Sequence, residues 1–130
     1  MTISSIFQTN DSGATQVNPA EDDGDTWTDY TDERLVPTSI LNFKIGNIYT
    51  AFRILVVVNV YATQNVSETF DLLGTYDGTN WTMSQNSVQS TGGNTNVVFT
   101  IDSSGQIKYT STPAIGGFTK RIFKWIKRTL

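Results

Sequence analysis

Neither cysteine nor histidine occurs anywhere in the 130-residue chain. Without thiols there are no disulfides, no thiolate metal ligands and no cysteine nucleophile. Without imidazole the commonest general base, pH switch and zinc ligand are missing too. Charged residues are sparse, at 16% of the chain, and prolines number only 3. No apolar run suits a membrane span: the most hydrophobic stretch, residues 48–62, is too short and carries Arg53 and Asn59. Phosphate-binding glycine loops, G-x-S-x-G elbows and dinucleotide fingerprints are absent. Met1 is followed by neither a basic n-region nor an apolar h-region, so no secretion signal is expected.

Carboxylate chemistry and Ser-Lys arrangements are the formal possibilities that remain, with Glu68 paired to Asp71 or Asp77 as candidates for glycoside hydrolysis. Glu68 and Asp71 have opposite parity on one predicted strand, so their side chains diverge. Asp77 opens an Asp-Gly turn, where aspartate is favoured for backbone reasons alone. The acidic stretch EDDGDTWTD (21–29) lacks the alternating ligands that a D-x-[DN]-x-[DN]-G calcium loop needs before its glycine. The expectation is a chain that is not an enzyme, uses no cofactor and holds no metal.

What is present is strand material. In Ile48 to Ala62, one face at period two is Ile48, Thr50, Phe52, Ile54, Val56, Val58, Val60 and Ala62, almost wholly apolar. The other face is mixed, and the β-branched run at 56–58 favours strand over helix. Around this central strand, Leu41, Phe43 and Ile45 alternate, and Gly46-Asn47 predicts a tight hairpin turn into it. Later strands are marked by Phe70, Leu72 and Tyr76, by Trp81 and Met83, by Val97, Phe99 and Ile101, and by Ile107 and Tyr109. Gly, Asn and Asp punctuate them. The prediction is an all-β fold: an antiparallel β-sandwich, jelly-roll-like, of about seven strands. Residues 38–130 form this domain. Residues 1–37, polar, acidic and poor in apolar anchors, form an extended N-terminal arm that buries too little to order itself alone.

Charge is divided between the two ends. Residues 11–33 contain Asp11, Glu21, Asp22, Asp23, Asp25, Asp29, Asp32 and Glu33 and no base. The last eleven residues contain Lys120, Arg121, Lys124, Lys127 and Arg128 and no acid. Either this is a solvated arm and a charged edge strand, or head and tail meet, within one subunit or between neighbours. Ile6, Phe7, Trp27 and Tyr30 are the arm's candidate anchors, and the five bases are the candidate interface of the C-terminal strand. Residues 118–130 also have a helical reading, with Phe118, Ile122, Trp125 and Ile126 on one side, as in a cationic membrane-surface helix. Closing the sheet favours a last strand, and no membrane partner is expected. One strand's bases within an acidic chain do not make a nucleic-acid site. Tyr76 and Trp81, with Trp27, could form a sugar-stacking platform; a strand tryptophan in the core is the commoner outcome.

Two stretches, FDLLGTYDGTNWTMSQNSV (70–88) and VVFTIDSSGQIKYTST (97–112), carry a resemblance. A strand, an Asp-Gly turn into a tryptophan strand, a Gly/Asn loop, a strand and a Ser-Gly turn follow in order. The series resembles C-terminal β-domains of structural proteins of tailed bacteriophages, fibre and surface-decoration proteins among them, over about the last eighty residues. The resemblance implies a β-sandwich on the virion surface, often a homotrimer, whose partners are other virion proteins of capsid or tail. It implies neither catalytic residues nor a cofactor. An arm of thirty-odd residues is too short for a fibre shaft, which favours a small capsid decoration or cement protein, or a tail adaptor. A fibre tip binding host-surface glycan is the alternative.

Overall fold

The computed structural model describes residues 24–114 and 116–130. Eight strands follow one another without a helix among the described residues: β1 (Asp25–Asp29), β2 (Arg34–Lys44), β3 (Ala51–Tyr61), β4 (Val66–Tyr76), β5 (Trp81–Thr91), β6 (Val97–Ile101), β7 (Gln106–Ser111) and β8 (Lys120–Thr129). They form a five-stranded sheet, ordered β1-β8-β3-β4-β5, and a three-stranded sheet, ordered β2-β7-β6. Every pairing is antiparallel. The predicted all-β antiparallel sandwich is therefore the observed one.

Strand β3 is central, hydrogen-bonded to β4 on one side and β8 on the other. Its alternation holds along its length: Phe52, Ile54, Val56, Val58 and Val60 are buried. Facing residues from the smaller sheet (Ile40, Phe43, Phe99, Ile107 and Tyr109) close the core with Phe123 and Trp125 of β8. Phe43 and Trp125 stack across the two layers, ring centroids 4.2 Å apart. Large rings such as these each remove more apolar area from water than an aliphatic side chain does.

Three expectations are corrected. Gly46-Asn47 does not close a hairpin: β2 and β3 belong to different sheets, and residues 45–50 cross between layers. The crossing is fixed where the Ile45 N–H donates to the Gly105 carbonyl at 2.8 Å. Nor do Leu41 and Phe43 share a face. Asn42 adopts a left-handed φ of 65° where the β2–β7 register shifts, so Ile40 and Phe43 turn inward while Leu41 is exposed. The sandwich also begins before Thr38, since the described part of the predicted arm holds β1 and the start of β2.

The C-terminal segment is a strand. β8 sits between β1 and β3, paired along ten residues of β3, and the helical reading of 118–130 is overturned. Among the described residues no helix is long and apolar enough to cross a membrane.

Candidate functional site

The acidic head and basic tail do meet within this chain, at the seam where β1 and β2 pass between sheets. β1 pairs with β8 so that Asp29 stands opposite Arg121. Arg121 is 1% exposed, among the most buried large side chains of the protein. Its guanidinium donates to the carbonyls of Thr31 (3.1 Å) and Asp32 (2.9 Å) and to the Tyr109 hydroxyl (3.2 Å). Asp32 Oδ1 lies 3.8 Å away. The Tyr109 hydroxyl in turn donates to Asp29, which also accepts two hydrogen bonds of 2.8 Å from Arg34. Burial pushes the Asp29 carboxyl up, but the Arg34, Tyr109 and Thr31 donors outweigh it and hold the group below the usual carboxylate range. Burial, and then the bond to Asp29, raise Tyr109 to about 12.

This network separates residues that the sequence grouped together. Arg121 is a core fastener and not part of an interface. Lys127 shares its inward parity and is half-buried. Lys120 lies over the Tyr61 ring, 5.2 Å from its centroid. Of the five bases of β8, only Lys124 and Arg128 are exposed. Of the arm anchors, Trp27 packs within its own chain, 5.8 Å from Phe123 and 6.3 Å from Tyr109 between ring centroids. Tyr30 is exposed. Ile6 and Phe7 lie outside the described residues.

The opposite seam, where β5 passes to β6, is closed by side chains. Gln85 of β5 reaches across to β6 with its amide, accepting from the Phe99 N–H at 2.8 Å and donating to the Val97 carbonyl at 3.0 Å. It thereby satisfies two edge groups that sheet pairing leaves open. Glu68 is buried beside it, accepting from Ser87 Oγ (2.5 Å) and from the Thr95 N–H (2.9 Å) and Oγ1 (2.7 Å). Burial opposes its ionisation, yet these donors lower its pKa. Asp71 points to the other face and pairs with Arg53. The diverging parity read from the sequence is present, and the two carboxylates do not share a site.

Trp81 is 7% exposed, its ring between Phe52 and Tyr76 and its Nε1 donating to Asn47 Oδ1 at 2.9 Å. With the Trp81 ring buried against Phe52 and Tyr76, the predicted sugar platform of Tyr76 and Trp81 has no exposed tryptophan. Among the described residues no group of three His, Cys, Asp or Glu could hold a metal ion.

Among the described residues, one surface open to a partner is the outer face of the five-stranded sheet. It exposes Leu55, Leu73 and Ile126 beside Arg53, Lys124 and Arg128. Arg53 and Arg128 are cross-strand partners. Like charges directly opposite repel, and Asp71 offsets the Arg53 side of this pair by accepting two hydrogen bonds from its guanidinium. A groove of about 700 Å³ runs here, lined by Arg53, Leu73, Met83, Ser84, Arg128 and Leu130 among others. Sequence reasoning found the bases of β8 but not this groove. Its other wall comes from β3, β4 and β5, which only the sheet order brings alongside.

No protein family matches the chain, and no curated protein matches it significantly. Among solved structures it is similar in fold to the tailspike protein of Acinetobacter phage vB_ApiP_P1, with a TM-score of 0.53 at 19% sequence identity. The match covers 94% of this chain and 25% of the tailspike, so the chain spans about a quarter of the length of the protein it matches.

Proposed function

We propose that the chain is a structural part of a bacteriophage virion, a small non-enzymatic module that serves as a tail adaptor or a capsid decoration protein. The observation that carries the reading is the tailspike likeness, which takes in nearly the whole chain as one segment of a longer phage protein. It favours the tail over the capsid. The strand–turn series of residues 70–112 supports the same source. The mechanism is mechanical: a rigid sandwich, locked at both seams by buried polar networks, presents surfaces to neighbouring virion proteins.

Self-association as a homotrimer is part of the proposal. Edge strand β2 exposes Leu35, Val36 and Leu41 at 70%, 74% and 62%, an apolar set on an unpaired edge. Such a surface marks an interaction site more often than a solvated one. The test is twofold. Mass spectrometry of gradient-purified virions of a phage carrying this gene should find the chain, and light scattering of the full chain should give three times its 14.4 kDa mass. Absence from virions overturns the virion reading. A monomer at all concentrations overturns the trimer, and release of reducing ends from host polysaccharide overturns the non-enzymatic assignment.

A further inference from the structure

Two exposed surfaces of this chain complement each other and lie apart on one copy. The first is the groove on the outer face of the five-stranded sheet, between Arg53, Leu73, Met83, Arg128 and Leu130. Arg53 is paired with Asp71, but Arg128 has no ion pair among the described residues. The second is the link from β1 into β2. Between the pairs Arg34–Ser111 and Thr38–Tyr109, β2 has three residues (35–37) where β7 has one (Thr110). The surplus pushes the chain out of the ladder, and Leu35 and Val36 are exposed along with Tyr30 and Glu33. Glu33 likewise has no ion pair among the described residues. One surface is thus an apolar groove with an unpaired base at its rim, the other an apolar knob with an unpaired acid beside it. Asp29, four residues before Glu33, stands opposite Arg121. Arg128 is seven residues farther along β8, roughly 23 Å away at about 3.3 Å per residue.

We propose that copies of this chain join head to tail, with Leu35 and Val36 of one copy in the groove of the next, and Glu33 of the first against Arg128 of the second. The inference rests on the homotrimer reading and deepens it. A junction between two different surfaces builds a ring when its rotation closes, and a three-fold rotation gives the trimer. The receiving face has the necessary size. Five strands at about 4.8 Å by ten residues at about 3.3 Å make roughly 800 Å², one partner's share of a standard interface. The knob is held in shape before contact: Arg34 bonds back to Asp29, and Arg121 bonds the carbonyls of Thr31 and Asp32. Little ordering cost therefore falls on binding. Burial of Leu35 and Val36 supplies affinity, and the Glu33–Arg128 pair fixes orientation.

Glu33, Leu35, Val36 and Arg128 are all exposed, so substitution spares the core, and thermal midpoints close to the parent's check that each variant folds. Light scattering of the full chain over a concentration series should give three times the chain mass for the parent. Glu33→Lys and Arg128→Glu should each raise the concentration of half-assembly by about tenfold or more, since each sets like charges against one another across the junction. Both substitutions in one chain exchange the charges and should restore assembly to within about threefold of the parent. Leu35→Ser/Val36→Ser should leave a monomer. A trimer indifferent to all these variants overturns the junction and leaves the homotrimer standing. A parent that is monomeric at every concentration overturns both. Weakening by the single variants without recovery in the combined one overturns the pairing of Glu33 with Arg128. A mass of twice the chain overturns the head-to-tail arrangement, because a closed pair is two-fold symmetric.

Discussion

Arg121 and Lys124 are three residues apart on one strand and do opposite work. Arg121 supplies donors to two carbonyls and a hydroxyl in the core. Lys124 is exposed. Arg121→Met should lower the urea-unfolding free energy by about 3 kcal/mol, because it strands buried acceptors and the Asp32 carboxylate. Lys124→Ser should stay within roughly 0.5 kcal/mol. Equal effects would mean that the buried network carries no net stability. At period two Arg121 shares a face with Phe123 and Trp125, and that is the face the structure buries. The burial of Arg121 itself was not legible in the sequence, because an arginine is placed inside only by acceptors that other segments bring, here residues 31–32 and Tyr109. Gly74 is a similar case. A Cβ there would lie 2.1 Å from Phe52 Cε2, so the phenylalanine ring occupies the space over the glycine. Gly74→Ala should cost roughly 1–3 kcal/mol through overpacking, measured by the same denaturation.

At the scale of elements, the strands were readable wherever period-two alternation was uninterrupted, as in β3, and misread wherever the backbone changes parity. Asn42 is the instructive residue. Its positive φ inserts a bulge that turns Ile40 and Phe43 to the core together, a three-residue spacing that alternation alone assigns to opposite faces. Asparagine tolerates this conformation better than most side chains. Asn42→Ala should therefore destabilise by about 1 kcal/mol, while Asn42→Gly should be neutral or slightly stabilising, as read from thermal midpoints. The reverse order would show that the Asn42 side chain, and not its backbone, holds the bulge. β1 escaped the sequence reading for another reason. DTWTD has only Trp27 as an apolar residue, and a five-residue edge strand is defined by the neighbour it pairs with, not by its own pattern.

Over the whole molecule, the two sheets are joined at both flanks by consecutive edge strands, β1 to β2 and β5 to β6. Each flank is fastened by a buried carboxylate, Asp29 at one and Glu68 at the other. Both have pKa values below their usual range in the folded chain. The unfolded chain thus takes up protons at higher pH than the folded one, and stability falls as protons bind. The stabilisation from the two groups is complete above their ordinary values near 4 and is lost as pH falls through the lower folded values. The urea midpoint should hold level from pH 7 to about 5, then decline steeply toward pH 2.5. Asp29→Asn and Glu68→Gln should each start lower at pH 7 and decline less, and the double variant should be flattest, since the flanks are separate and their effects should add. Exposed carboxylates such as Asp77, whose pKa is lowered by the turn amides of Thr79 and Asn80, contribute a background slope common to all variants. If the variants kept the full slope of the parent, acid sensitivity would belong to that background and the seams would be held by packing alone. If the slope is lost with Asp29 and Glu68, acid opens the sandwich at its flanks.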